Sequence, residues 1–321
     1  MTILPTKPFG NTAENITALS MGCGFPFGFV SFDAAIQTIR HALDLGIRYF
    51  DTSPLYRSGA SQAILGEALA GRTEKFFLAT KIGHFKDPRH FRSVEAMHVQ
   101  FNENLRLLRS DSVDLLQIHE ADWDHWWTDR ETLAPCELFD LQKSHNFQNA
   151  PVLDFLRDIK SRGLARHIGI TGNNARHLAR LLQELTGIDS VLVAYNYHPL
   201  NTSARDHILP IARQKGIATL IAGIFTFISR IPEGWRTEGT YFGKYADRQL
   251  AELQRLPRPL GMTLEELSLR FVAKDPDITT LLIGACTPEQ IDQNLRALAQ
   301  GPLPPELHAK VESIAAQFPL P

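Results

Sequence analysis

Residues 76–119 read FFLATKIGHFKDPRHFRSVEAMHVQFNENLRLLRSDSVDLLQIH, and the succession of patterns in this stretch decides the fold. A short apolar run, Phe76 to Lys81, is followed by Val94, Met97, Phe101, Leu105 and Leu108 at helical spacing, and then by a second apolar run, Val113 to Ile118. Short apolar runs suit buried strands, and a three-to-four spacing suits a helix with one apolar face. Ser93 stands just before that helix as its cap. The stripe itself is core. Two buried strands joined by a helix make a unit with parallel strands, which needs helices on its outer face.

The same alternation extends in both directions. Strand candidates are Leu19 to Gly22, Arg48 to Asp51, the two runs above, His167 to Ile170, Ser190 to Ala194, Ala218 to Ile221 and Thr280 to Ile283. Eight such units over 321 residues predict one α/β domain, a single (β/α)8 TIM barrel across residues 1–321. Asp33 is expected to cap the first helix. The longest irregular stretches, Glu120 to Ala150 and Phe225 to Pro259, each follow a strand and so read as long loops over the C-terminal face. Residues before Leu19 read as a plug or hairpin across the other face, and Pro304 to Phe318 as a last helix.

Thirty-three basic against thirty-five acidic residues give a net charge of −2, without the basic bias of a nucleic-acid binder. No run approaches the roughly 18 apolar residues of a membrane span, and the N-terminus lacks the pattern of a signal peptide. Cys23, Cys136 and Cys286 are odd in number and lack metal-ligand spacing, so reduced thiols in a cytoplasmic protein are expected. Asn15-Ile16-Thr17 and Asn201-Thr202-Ser203 are treated as chance glycosylation-type matches.

Four residues at or just after strand ends carry the chemistry: Asp51 and Tyr56 in FDTSPLY, Lys81 in ATKIG and His119 in LLQIHEAD. A barrel collects its catalytic groups at that face. A carbonyl accepting a hydride gains negative charge on oxygen, so a proton donor is needed there, and Tyr56 is the candidate acid. Lys81 is expected to lower its pKa from the ordinary value of about 10, with Asp51 holding Lys81. His119 would donate to the reacting oxygen and orient the substrate. In the oxidative direction Tyr56 becomes the base.

These motifs resemble the catalytic tetrad of the aldo-keto reductases, and the resemblance runs from LSMGCG at 19–24 to GACTPEQIDQN at 284–294. It implies an extended nicotinamide dinucleotide bound without a Rossmann domain. In that family a serine and an asparagine hold the carboxamide after the fifth strand, where IGITGNN places Thr171, Gly172 and Asn173. The family's Gln-x-x-Tyr-Asn aligns with Leu192 to Asn196, so Leu192 replaces the glutamine and Asn196 remains. The nicotinamide-stacking aromatic aligns with Gly223, leaving Phe225 or Phe227 to supply a ring.

Gly284, Cys286, Gln290 and Asn294 align with the adenosine-phosphate site at the start of the last barrel helix, where NADP-preferring relatives carry basic residues. Their absence favours NAD, with NADP still open. The IGITG and AGIF strings resemble the sugar-dehydrogenase branch, which implies oxidation of an aldose such as fucose or galactose to its lactone. NADPH-dependent reduction of small aldehydes or ketones is the alternative, and a cofactor-binding regulatory subunit is the alternative from another class. Trp123, Trp126 and Trp127, with Asp122, Asp124 and His125, are expected to form a lid wall that takes sugar faces and hydroxyls. Trp123, Trp126 and Phe225 are the candidate substrate contacts, no metal is expected, and the oligomeric state stays open.

Overall fold

The computed structural model describes residues 4–24, 30–129, 136–225 and 247–316. Strands β1 (Thr6–Pro8) and β2 (Asn15–Thr17) form an antiparallel hairpin. Strands β3 (Leu19–Gly22), β4 (Tyr49–Asp51), β5 (Phe77–Ile82), β6 (Val113–Ile118), β7 (Ala165–Gly172), β8 (Ser190–Ala194), β9 (Ala218–Ala222) and β10 (Thr280–Ile283) follow. These eight close into a parallel barrel in chain order, with β10 pairing β3. The expected (β/α)8 barrel is therefore the fold.

Outside it lie α1 (Phe32–Asp44), α2 (Ala60–Leu69), α3 (Val94–Leu108), α4 (Pro151–Ser161), α5 (Ala175–Glu184), α6 (Ser203–His207), α7 (Leu209–Lys215), α8 (Asp247–Arg255), α9 (Leu264–Ala273), α10 (Pro288–Ala299) and α11 (Pro305–Ala316). The α3 stripe meets the core through Met97, Phe101 and Leu108, and Ser93 caps the helix by accepting from Ala96 N at 3.2 Å. For α1 the expected cap is displaced by two residues: Ser31 accepts from Ala34 N at 3.2 Å, and Asp33 sits in the first turn, where its charge still suits the helix dipole.

Inside the barrel, Tyr49, Phe77, Ala79, Leu115, Leu192, Ala218, Leu220 and Leu282 form a separate apolar cluster, closed at the N-terminal end by Phe9 of the hairpin turn. Side chains alternate along each strand, so these residues fix which positions face inward above them. Asp51, Lys81, Gln117 and Thr171 share that inward phase and stand at the C-terminal end. Strand β7 extends past the expected His167 to Ile170 because Ala165 pairs with Val113 and Gly172 with Val193. In the second long stretch α8 was not expected from the sequence. It buries Leu253 completely and packs on α11.

Candidate active site

Lys81 and Asp51 are 1% exposed and ion-paired, and Lys81 Nζ also donates to Thr52 O at 2.9 Å. The other Asp51 oxygen accepts from Gln117 Nε2 at 2.8 Å. Asn104 Nδ2 of α3 donates to Lys81 O at 2.9 Å, tying the end of β5 to the outer layer. Burial pushes the Asp51 carboxyl up from its ordinary range, opposed by Lys81 and then by Gln117. Removing either partner would leave an uncompensated buried charge.

Tyr56 is half-buried at the start of a short turn, with Lys81 Nζ 4.9 Å from its ring centre and the His119 ring edge-on at 5.7 Å. The structure thus brings all four motif residues together at one end of the barrel. The expectation that Lys81 lowers the Tyr56 pKa is not met in the protein alone. Burial raises it, followed by the charge of Asp51 and then that of Glu120. The first physical reason is burial, which disfavours the charged phenolate, and the Asp51 charge adds to it. Burial, His84 and Lys81 together hold His119 well below the usual imidazole range, so its ring is neutral.

The rim beside His119 contains two residues that sequence reading passed over. His84 and Glu120 follow adjacent strands and both adopt the left-handed region, with φ of 55° and 51°. Non-glycine residues there carry strain and concentrate at functional sites. His84 Nε2 lies 3.1 Å from Glu120 Oε2, an ion-pair contact without the alignment of a hydrogen bond. The His84 ring packs edge-on against His119 at 4.3 Å and against Trp123 at 4.8 Å.

The donor set at β7 fits a primary carboxamide. Thr171 Oγ1 accepts from Glu120 N at 3.1 Å, which leaves its own proton to donate. Asn173 Nδ2 donates to Glu120 Oε1 at 2.6 Å, which leaves its carbonyl oxygen to accept. At the far end, Thr287 caps α10 and Gly284 presents an open α-carbon, the nearest atom to an added Cβ being Gly22 O at 4.0 Å. A helix N-terminus of this kind suits phosphate.

Comparison with known proteins decides the family. The profile of the Aldo/keto reductase family matches residues 18–316. The chain belongs to the aldo-keto reductases. The L-galactose dehydrogenase of Arabidopsis thaliana is 26% identical over 312 residues, covering 94% of this chain and 90% of that one. The pyridoxal 4-dehydrogenase of Microbacterium luteolum is 26% identical, covering 90% and 91%. The holo form of an aldo-keto reductase from Bacillus halodurans superposes with a TM-score of 0.76 at 22% identity, covering 99% and 98%. This aldo-keto reductase is accordingly an NAD(P)-dependent oxidoreductase acting on CH–OH or carbonyl groups.

Several other expected site residues of the aldo-keto reductase have internal work. Asn196 Nδ2 donates to Asn173 O at 2.7 Å and to Ala194 O at 2.6 Å, while its Oδ1 accepts from Ala175 N and Ser203 Oγ, both at 3.2 Å. Its amide braces the loops after β7 and β8. Gly172 is not a vacant ligand position: a Cβ there would meet Asp122 Cγ at 2.9 Å. Gln290 folds back, its Oε1 accepting from Cys286 N at 2.7 Å, and Asn294 is buried.

The lid expectation needs correction. Trp126 is wholly buried, donates from Nε1 to His119 O at 3.1 Å and packs edge-on against Phe91 at 4.7 Å, so it supports His119 from behind. Trp127 donates to Ala121 O at 2.7 Å in the same layer. Asp122, Asp124 and His125 are also buried, with His125 Nδ1 2.9 Å from Asp124 Oδ1, and cannot meet substrate hydroxyls. Trp123 alone of the three tryptophans is half-buried at the rim. Among the described residues no acidic, histidine or cysteine group forms a metal site, and no helix is long and apolar enough to cross a membrane.

At Gly223, φ is +70° and an added Cβ would lie 2.4 Å from Tyr195 Cδ1. Tyr195, itself at φ 66°, therefore covers this strand end from β8. Its hydroxyl is pushed up to about 12, by burial first and then by Tyr56 and Glu120. Phe225 packs on the core beside it, and Phe227 lies outside the described residues.

Proposed function

We propose that this aldo-keto reductase oxidises an aldose or a related polyol-like substrate to the lactone or carbonyl, with NAD as the partner. The observation that carries the chemistry is the buried Asp51–Lys81 pair beneath the Tyr56 ring, with His119 set edge-on to it. Tyr56 takes the proton of the reacting hydroxyl with the Lys81 cation beside its ring, and His119 holds the substrate oxygen. The bound nicotinamide supplies the hydride acceptor. Thr171 and Asn173 would hold its carboxamide, and the N-terminus of α10 its phosphate end.

A hydroxylated substrate is supported by the half-buried Trp123 ring packed edge-on against His84 at the rim beside His119, an aromatic surface suited to a sugar face. It is further supported by the likeness to a dehydrogenase whose name specifies L-galactose. NAD rather than NADP is supported by the segment Gly284 to Gln290, which carries Glu289 and no lysine or arginine, while Asp292 on the same helix pairs with His41 at 2.9 Å. A second reading is reduction of a small aldehyde or ketone, in which the Tyr56 phenol gives its proton to the carbonyl oxygen. A regulatory subunit is disfavoured by the assembled tetrad.

Purified protein should form NADH from NAD with one or more aldoses, followed at the reduced-nicotinamide absorbance band. Tyr56→Phe should lower turnover by about 100-fold or more while the cofactor still binds. Silence with every sugar, together with NADPH consumption on simple aldehydes, would replace this reading with the reductive one.

A further inference from the structure

We infer that Ser53 is a positioning residue that locks His119 in the tautomer carrying its proton on Nε2, the nitrogen that opens to the substrate. This rests on the proposed alcohol and carbonyl chemistry only for its consequence, and the hydrogen-bond accounting stands without it. Ser53 is 0% exposed, and its Oγ lies 2.9 Å from His119 Nδ1. The same oxygen accepts from Leu55 N at 3.1 Å.

A serine hydroxyl has one proton and two lone pairs, and a neutral imidazole has one N–H and one bare nitrogen. If Nδ1 carried the histidine proton, it would donate to Ser53, and the serine's own proton would have no acceptor among the described residues. A buried donor left unpaired costs about 1–3 kcal/mol. If Ser53 donates to Nδ1 instead, every group at the contact is satisfied and the histidine proton falls on Nε2. Nε2 has no hydrogen-bond partner among the described residues and is not among the sealed polar atoms. The His84 ring packs edge-on against the His119 ring at 4.3 Å, and the backbone is pinned on both sides, its N–H donating to Ile82 O at 2.9 Å and its carbonyl accepting from Trp126 Nε1.

The Leu55 bond adds a second consequence. Leu55 immediately precedes Tyr56, so one hydroxyl fastens the loop that carries the acid-base tyrosine and orients the histidine opposite it. Neither job was visible from FDTSPLY alone, where Ser53 reads as an ordinary turn residue.

The direct test is nitrogen NMR on protein labelled with 15N-histidine, the His119 signals being assigned by their disappearance in His119→Gln. The wild-type protein should show Nε2 protonated and Nδ1 bare. Ser53→Ala should populate both tautomers and lower kcat by about five- to tenfold, the worth of one neutral hydrogen bond, with the dissociation constant for NADH little changed. Ser53→Thr keeps the hydroxyl and should restore the wild-type spectrum. A proton on Nδ1 in the wild type, or an unchanged tautomer in a folded Ser53→Ala protein, overturns the assignment. The expected spectrum in a protein that turns over no alcohol or carbonyl would overturn the proposed function and leave the assignment of Ser53 standing.

Discussion

On the β4–β6 side of the barrel mouth, Asp51, Lys81 and Gln117 point inward from strands and are sealed in one hydrogen-bonded group. On the β7–β8 side, Thr171, Asn173 and Asn196 sit at strand ends and loops, and much of their bonding capacity goes to neighbouring loops. The first region is a fixed charged centre in which the Lys81 cation is held by Asp51 and the Thr52 carbonyl. The second is a network in which ligand-type side chains also carry structure. Substitutions in the two regions should therefore fail in different ways: the first by stranding charge, the second by disturbing packing at the cofactor's edge.

The largest contrast should come from Asp51→Ala, which leaves Lys81 buried beside an empty carboxylate site. A loss of about 3–5 kcal/mol in unfolding free energy is expected, read by chemical denaturation. A variant that unfolds like wild type would mean that the pair is not sealed from water. Gly172→Ala probes the other region. Its Cβ would press on Asp122 at 2.9 Å, and crowding of this kind costs about 1–3 kcal/mol. Isothermal titration should find NAD binding weakened along with stability, because the same shift moves Thr171 and Asn173. Retained affinity would separate the carboxamide edge from the Asp122 contact.

A third contrast concerns pH. Asp122 is fully buried, and burial pushes its carboxyl up to about 7 despite bonds from Asn173 N and Asn174 N, both at 2.8 Å. A free aspartate titrates at about 4, so between those values the folded protein holds a proton that the unfolded chain has released. The stability due to this group is present at pH 4 and lost as pH rises through 7. Asp122→Asn should flatten the fall in melting temperature between pH 5 and pH 7.5. An identical slope in both proteins would rule Asp122 out as its source.

The legible part of the site was the part governed by periodicity. Asp51, Lys81 and His119 end strands whose apolar runs are plain in the sequence, and counting back by two from His119 would also have found Gln117 facing the barrel interior. Helix α8 was missed because Leu250 and Leu253 are its only large apolar residues within a strongly polar segment. Trp126 and Trp127 were misplaced for the opposite reason: a tryptophan-rich loop after a catalytic histidine has the same composition whether it lines a pocket or fills the layer behind it.

By itself the sequence determined the eight βα units, the inward phase of the strands and the four residues that meet at one end of the barrel. Those follow from local alternation and from chain order, which a closed parallel barrel converts directly into neighbours. Only the tertiary structure decided which polar side chains remained available. Ser53 on His119, Glu120 against His84, Asp122 behind Gly172 and Tyr195 over Gly223 are contacts between loops after different strands. Hydrogen-bond valence and space are used up by whichever partner arrives from elsewhere in the chain, and no local pattern records that arrival.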